Sequence, residues 1–337
     1  TAGGFFAASA TDFVQSIIMT VAIVFVLVFS TISAGGVDAV VENAKALPGY
    51  LSLTASYIED TGKSEPYNLL HIITTLSWGL GYFGMPHILL RFMAIEDEKK
   101  LKLSRRVASV WVVIAMAMAV LIGIVGRALS NTGLVDQLHG NDTETIIVRV
   151  AHLLSTYGAF PAIMAGLILA GILASTMSTA DSQLLAAASS VSENILREAF
   201  HLKISEKKSM LAARLTVIGI AILGIIIARN PDSSVFGIVS FAWAGFGAAF
   251  GPLVICSLFW KRTTLPGAIV GMVSGGAMVF IWKYLIKPIG GVFGIYELLP
   301  AFLVGLVLMV IVSLCTKAPS KEITDEFDRV KAMGKAK

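Results

Sequence analysis

Ser175, Ser178, Thr179 and Ser182 follow one another at i, i+3, i+4 and i+7 within an apolar stretch. A helix there carries its hydroxyls as one stripe. A hard cation such as Na⁺ takes oxygen ligands, and hydroxyls with backbone carbonyls supply them without a full charge. The same residue types also serve as close-packing positions in membrane helices or bond back to the i−4 carbonyl, so spacing alone leaves ion site and packing both open. Asp181 lies further along the same helix. A carboxylate in an intramembrane segment is a functional candidate. About 30 Å of helix separates it from Pro161 at ~1.5 Å per residue, which equally suits a residue facing the far interface.

A second constellation is Trp78-Gly-Leu-Gly-Tyr82-Phe-Gly-Met-Pro86-His87, in a segment with no ionised side chain between Glu65 and Arg91. Three glycines and a proline predict a helix broken at membrane depth, with freed backbone groups that something must satisfy. Trp78, Tyr82 and Pro86 recur at i, i+4 and i+8, near one face of any helical part. Such a face would line a solute pocket. Gly79 to Gly84 also fits G-x-G-x-x-G, but that fingerprint needs a strand before it and a helix after it. It lies within an apolar span here and is discarded as a nucleotide site. Trp243 and Phe246, in another apolar run, would either line a cavity or serve as core and lipid contacts. Asp12, with Gln15 three residues on, reads as a helix N-terminal acid, with Thr11 or Asp12 as the cap, or as a cation relay at a cytoplasmic mouth.

The elements that must carry these residues are membrane helices. Hydrophobic residues make up 56% of the chain and charged ones 14%, with mean hydropathy +0.80. About a quarter of an ordinary soluble domain is charged, so the composition is that of a membrane protein. The two cysteines, Cys256 and Cys315, lie in apolar runs and form no CxxC. Neither the histidines nor the carboxylates show ligand or acid–base spacing, and no catalytic chemistry is indicated. The chain starts at Thr1 and runs directly into apolar sequence, which reads as cut from a longer protein.

Eight segments meet the ~20-residue length of a spanning helix, at 14–35, 67–90, 107–127, 160–180, 210–229, 234–258, 264–283 and 298–316. Placing the C-terminus in the cytoplasm puts nineteen of the 26 Lys and Arg residues on that side and leaves seven outside. The positive-inside rule therefore sets the orientation, with both chain ends cytoplasmic. Helical spacing of Ile146, Ile147, Val150, Leu153 and Leu154 predicts an amphipathic helix within 143–157, as an outward lid or a cover on the bundle. Gly247 and Gly251, and Gly267, Gly271 and Gly275, repeat every four residues and predict faces for close helix contact.

Several blocks resemble the sodium:solute symporter family: Trp78–His87 followed by Arg91-Phe-Met-Ala94, Met177-Ser-Thr179, Ser240–Pro252, Leu298-Leu-Pro300 and Lys317-Ala-Pro-Ser320. They run through nearly the whole chain. The resemblance implies an all-α, polytopic, LeuT-type inverted-repeat transporter, with solute and Na⁺ bound at broken helices near the midplane. It implies that 1–35 holds the last helix of a first repeat, 36–66 an extracytoplasmic loop, 67–260 a second five-helix repeat, 261–316 two accessory helices and 317–337 a cytoplasmic tail. It further implies sodium-coupled uptake of L-proline across the cell membrane. Trp78, Tyr82 and Pro86 would contact solute. The hydroxyls of Ser178 and Thr179 and the carbonyl of Ser175 would hold Na⁺, and Asp12 would lie on the ion exit route.

Met85 stands where the resemblance leads one to expect glutamine, and Ser175 and Asp181 also depart from the proline-carrier pattern. The other half of the family's sodium site and a further solute-contacting tyrosine have no counterpart here, which implies that N-terminal helices outside this sequence are required for function. Sodium symport of another small solute (another amino acid, a sugar, a carboxylate, choline) and a transporter-like sensor module remain the competing readings. The 317–337 tail is too short for a kinase-type output domain.

Overall fold

A computed structural model describes residues 4–59, 61–229 and 234–335. The predicted segment ends at 1–3 and 336–337 lie outside the described residues. Within the described residues the fold is all-α apart from one two-stranded hairpin. Among the described residues, seven helices are long and apolar enough to cross a membrane: Ser9–Ser33, Leu101–Asn131, Ala159–Ala199, Glu206–Ile227, Val235–Phe259, Leu265–Ile289 and Leu298–Cys315. Seven of the eight expected spans are thus continuous. The expected span 67–90 is three short pieces instead, described with the site below.

The chain divides into two compact units. One comprises Thr1–Pro66 with Ala94–Ser234, the other Tyr67–Met93 with Val235–Lys337. The stretch 67–260, expected as one five-helix repeat, contributes to both.

In the first unit, α1 (Gly4–Ser33), α5 (Leu101–Asn131) and α7 (Ala159–Ser189) meet around a core of Val26, Leu129, Val150 and Ile168. Gly171 of α7 permits the approach to α1, since a Cβ there would stand 2.5 Å from that of Ala22. The expected amphipathic helix is α6 (Ile146–Ser155), which buries Val150, Ala151 and Leu154 in this core, so its apolar face covers the bundle. Helix α7 runs on through a π-helical segment, Ser190–Ala199, well past the expected end at 180. Helix α8 (Glu206–Ile227) follows it. The carboxylate of Glu193 accepts from Ser209 at 2.9 Å and pairs with Arg197 at 2.9 Å.

The polar connection 36–66 is more ordered than its composition suggests. It forms α2 (Val37–Ala46), entered through Gly35 and Gly36 at φ +95° and +94°, then strands β1 (Ala55–Ile58) and β2 (Lys63–Pro66). Such φ values suit glycine alone. Arg127, at the end of α5, approaches Glu59 at 3.5 Å and lies 5.3 Å over the Tyr57 ring, tying the hairpin to the bundle.

In the second unit, α3 (Leu69–Ser77) and α4 (Pro86–Met93) join α9 (Val235–Phe259), α10 (Leu265–Ile281), α11 (Leu298–Cys315) and α12 (Lys321–Lys335). The glycine faces do what their spacing predicts. A Cβ on Gly271 would stand 2.8 Å from Met309 Cβ of α11, and one on Gly275 would overlap the Ala248 carbonyl of α9. Backbones approach closely because no side chains intervene.

Candidate functional site

Helix α3 starts at an Asn68 cap, whose side-chain oxygen accepts from the His71 amide at 2.7 Å. At Ser77 it tightens into a 3-10 stretch, Trp78–Gly84. The break itself is one extended residue, Met85 (φ −80°, ψ 110°), whose carbonyl accepts from the amides of Ile88 and Leu89 at 3.1 Å each. Pro86 then opens α4, where its missing N–H costs nothing.

None of the three glycines in this stretch takes a left-handed φ. Two serve close approach instead. A Cβ on Gly84 would stand 2.8 Å from Gly247 Cα and 3.0 Å from the Gly251 amide nitrogen, while one on Gly81 would land on the Trp243 indole. Gly79 faces open space. The stretch is thus pressed onto the glycine face of α9.

Around this contact lies a cluster of rings. Trp78 is stacked near-parallel with Phe236, Tyr296 and Trp243, at centroid distances of 5.4, 5.5 and 6.0 Å. Tyr82 meets Trp243 edge-on at 4.8 Å. The Trp243 indole N–H donates to the carbonyl oxygen of Trp78 at 3.1 Å, satisfying a group near the helix break. Trp78 and Pro86 are half-buried, whereas Tyr82 is 57% exposed. An α-helical reading would align Trp78 with Tyr82. A 3-10 turn of about three residues rotates them apart, so one joins the stack and the other stands at its edge.

Phe246 lies elsewhere. It stacks on Phe250 at 6.2 Å and lines an apolar cavity of about 290 Å³ with Phe241 and Phe280. Of the two aromatic candidates on α9, Trp243 joins the Trp78 cluster through direct contact and Phe246 through none of these rings.

Tyr296 is the residue that sequence reasoning missed. Its ring packs on Trp78, and its hydroxyl donates to the Ser240 carbonyl at 2.6 Å. Burial, then the neighbouring Glu297 carboxylate, hold its phenol above the ordinary tyrosine value. Glu297 is itself buried and pairs with Lys287 at 2.8 Å. The only sequence signal was a Tyr-Glu pair just before the Leu298-Leu-Pro300 block.

The hydroxyl stripe belongs to α7 in the first unit. The Ser178 hydroxyl donates to the Ser175 carbonyl at 3.0 Å, that of Thr179 to the same oxygen at 3.4 Å, and that of Ser182 to the Ser178 carbonyl at 3.1 Å. A hydroxyl has one proton and two lone pairs. With the protons turned onto the helix, the Ser178 and Thr179 oxygens keep acceptor capacity for a cation, while the Ser175 carbonyl already serves both. Ser175 and Thr176 also line a cavity of about 230 Å³, otherwise walled by apolar residues of α1, α5, α6 and α7. Asp181 is exposed on the same helix.

Asp12 needs a correction. It is no N-cap, because α1 begins at Gly4 and places Asp12 half-buried within the helix. The helix is already formed from Gly4, ahead of the span expected from 14. Among the described residues, no group of three or more His, Cys, Asp or Glu side chains is arranged to hold a metal. The oxygens offered to a cation here are neutral ones.

Seven membrane-length helices among the described residues, one of them carrying the hydroxyl stripe, and a further helix interrupted against an aromatic stack define a polytopic α-helical membrane protein. The family model of the sodium:solute symporter family matches residues 1–275, and the chain belongs to that family. It is 38% identical over 339 residues to "Sodium/proline symporter 2" of Staphylococcus saprophyticus, covering 99% of this chain and 63% of that protein. It is 38% identical over 327 residues to "High-affinity proline transporter PutP" of Bacillus subtilis, covering 97% and 64%. To a "Sodium/proline symporter" of Staphylococcus aureus it is 36% identical over 335 residues, covering 98% and 62%. The chain therefore spans less than two thirds of the length of the curated relatives it matches.

Proposed function

We propose that the chain forms part of a sodium-coupled symporter that takes up L-proline across the cell membrane by alternating access, a transporter rather than an enzyme. The observation that carries the reading is the match to proline symporters along almost the whole chain. In this reading the Trp78–Pro86 stretch forms one wall of the solute pocket. Tyr82 offers an open aromatic edge, Trp243 and Trp78 back it, and Pro86 fixes the start of α4. The Ser178 and Thr179 hydroxyl oxygens, with Ser175 beside them, supply neutral ligands to Na⁺. Asp12 serves the ion exit route, and Asp181 lies three residues beyond Ser178 on α7. The C-terminus lies in the cytoplasm, as the distribution of Lys and Arg argues. The segments 1–35, 67–260 and 261–316 are the end of a first repeat, a second repeat and two accessory helices.

Coupling requires that Na⁺ favour the state that also binds solute better. The test is uptake of radiolabelled proline into vesicles, with the protein expressed from its complete reading frame. Accumulation should need an inward sodium gradient and be competed by proline above other amino acids, sugars and choline. Sodium-independent accumulation, or preference for another solute, would overturn the proposal.

A further inference from the structure

Helix α12 follows α11 after only five residues, 316–320, which reach at most about 18 Å when extended. It carries an apolar stripe of Ile323, Phe327 and Val330 at i, i+4 and i+7. Ile323 and Val330 are 59% and 57% exposed, and Phe327 is half-buried. Asp325 and Asp328 project from the opposite side of the helix. Lys321, Arg329, Lys331 and Lys335 balance Glu322, Asp325, Glu326 and Asp328 in number, so α12 combines a polar face with a narrow apolar one and low overall hydrophobicity. That is the pattern of helices that lie in a membrane interface rather than cross it.

The neighbourhood fixes the level at which α12 lies. Helix α9 ends at Phe259, and Trp260, Lys261 and Arg262 follow. The Arg262 guanidinium donates to the Thr316 carbonyl at 2.7 Å, so the ends of α9 and α11 share one level. A tryptophan with two basic residues at the end of a span marks the headgroup region. Lys261 pairs with Asp328 at 3.2 Å. Were α12 to stand out along the membrane normal, Asp328 would lie about 10 Å further from the bilayer than Lys321, at ~1.5 Å per residue. The pairing instead holds the middle of α12 beside the span ends.

We propose that α12 is an interfacial anchor: it lies flat on the bilayer surface at the end of α11 and buries Ile323, Phe327 and Val330 among the upper acyl segments of the lipids. The Asp325 and Asp328 face points to water, and lysine stems beside the stripe keep their ammonium groups at the phosphates. The occupant of the apolar stripe is lipid, because α12 starts five residues after the end of α11 and the Lys261–Asp328 pair ties it to the end of α9.

The test is depth-resolved fluorescence quenching in nanodiscs of mixed phosphatidylcholine and phosphatidylglycerol. The full chain carries an environment-sensitive fluorophore at Phe327→Cys or, as control, at Asp325→Cys, in a Cys256→Ala, Cys315→Ser background. Lipids spin-labelled near the headgroup end of the acyl chain should quench the label at 327 several-fold more than that at 325, with blue-shifted emission at 327 only. Equal quenching at both positions overturns the proposal, as does a blue-shifted but unquenched label at 327, which would mean docking onto protein. A second variant guards against a local effect of the label. Adding Val330→Asp should abolish quenching of a label at Ile323→Cys without lowering the yield of folded protein, and persistent quenching would equally sink the idea.

Discussion

The indole nitrogen of Trp243 reaches the carbonyl oxygen of Trp78 at 3.1 Å, joining α9 to the start of the 3-10 stretch across a separation of 165 positions in sequence. Trp78 opens the 3-10 stretch, and backbone carbonyls need partners where water is absent. Trp243→Phe keeps a ring but removes the donor. The expected loss is about 1 kcal/mol of stability, the usual net worth of a hydrogen bond. Thermal melting should register it, and the apparent KM for proline should rise while Vmax changes little. An unchanged KM would remove Trp243 from the solute wall.

The two kinds of glycine in the broken stretch should part company on substitution. Gly84→Ala drives a methyl group into the α9 backbone, and overpacking of this kind costs about 1–3 kcal/mol. Gly79→Ala meets nothing within 4 Å and should be silent or slightly stabilising. Melting temperatures of the two variants in the same detergent decide it.

Ser178→Ala and Thr179→Ala each remove an oxygen that can accept a cation and leave the helix intact. Both should raise the sodium concentration needed for half-maximal proline uptake by about tenfold or more, equivalent to ~1.4 kcal/mol, with a smaller change in proline KM at saturating sodium. Equal effects on both constants would mean a packing role.

Tyr296 gives a pH prediction. Its folded-state pKa is raised by burial and by Glu297, so above the ordinary value near 10 the unfolded chain loses a proton that the folded chain keeps. Its contribution is fully present below about pH 10 and is lost as pH rises beyond that. Melting temperature should therefore fall more steeply from pH 9 to 11 in the wild type than in Tyr296→Phe. Parallel curves would show that the phenol is not buried as described.

Much of this arrangement was legible in the sequence, because apolar length alone identifies spanning helices. The break at Met85–Pro86 was signalled by glycine and proline. Its geometry was not, since the i, i+4, i+8 rule presumes an α-helix and the stretch is 3-10. The role of Gly81 and Gly84 was hidden for another reason: close approach depends on the partner helix, here Gly247 and Gly251, and a local reading sees only backbone freedom. Tyr296 escaped because its partners, Trp78 and Ser240, are distant in sequence. The hydroxyl stripe was visible from spacing, though spacing could not show that Ser178 and Thr179 both turn their protons onto one carbonyl.

The continuous helix Ala159–Ala199 holds 41 residues, about 60 Å at ~1.5 Å per residue, against a hydrocarbon core of roughly 30 Å. Even at the upper end of observed tilts, about 40°, it cannot be contained in the bilayer. The rod that bears the hydroxyl stripe therefore has about 20–30 Å of its length outside the hydrocarbon core. A few degrees of rocking where Ser178 and Thr179 lie would sweep the Ser190–Ala199 end through about 2 Å at ~1.5 Å of helix per residue, and the Glu193–Ser209 bond would hand that stroke to the start of α8.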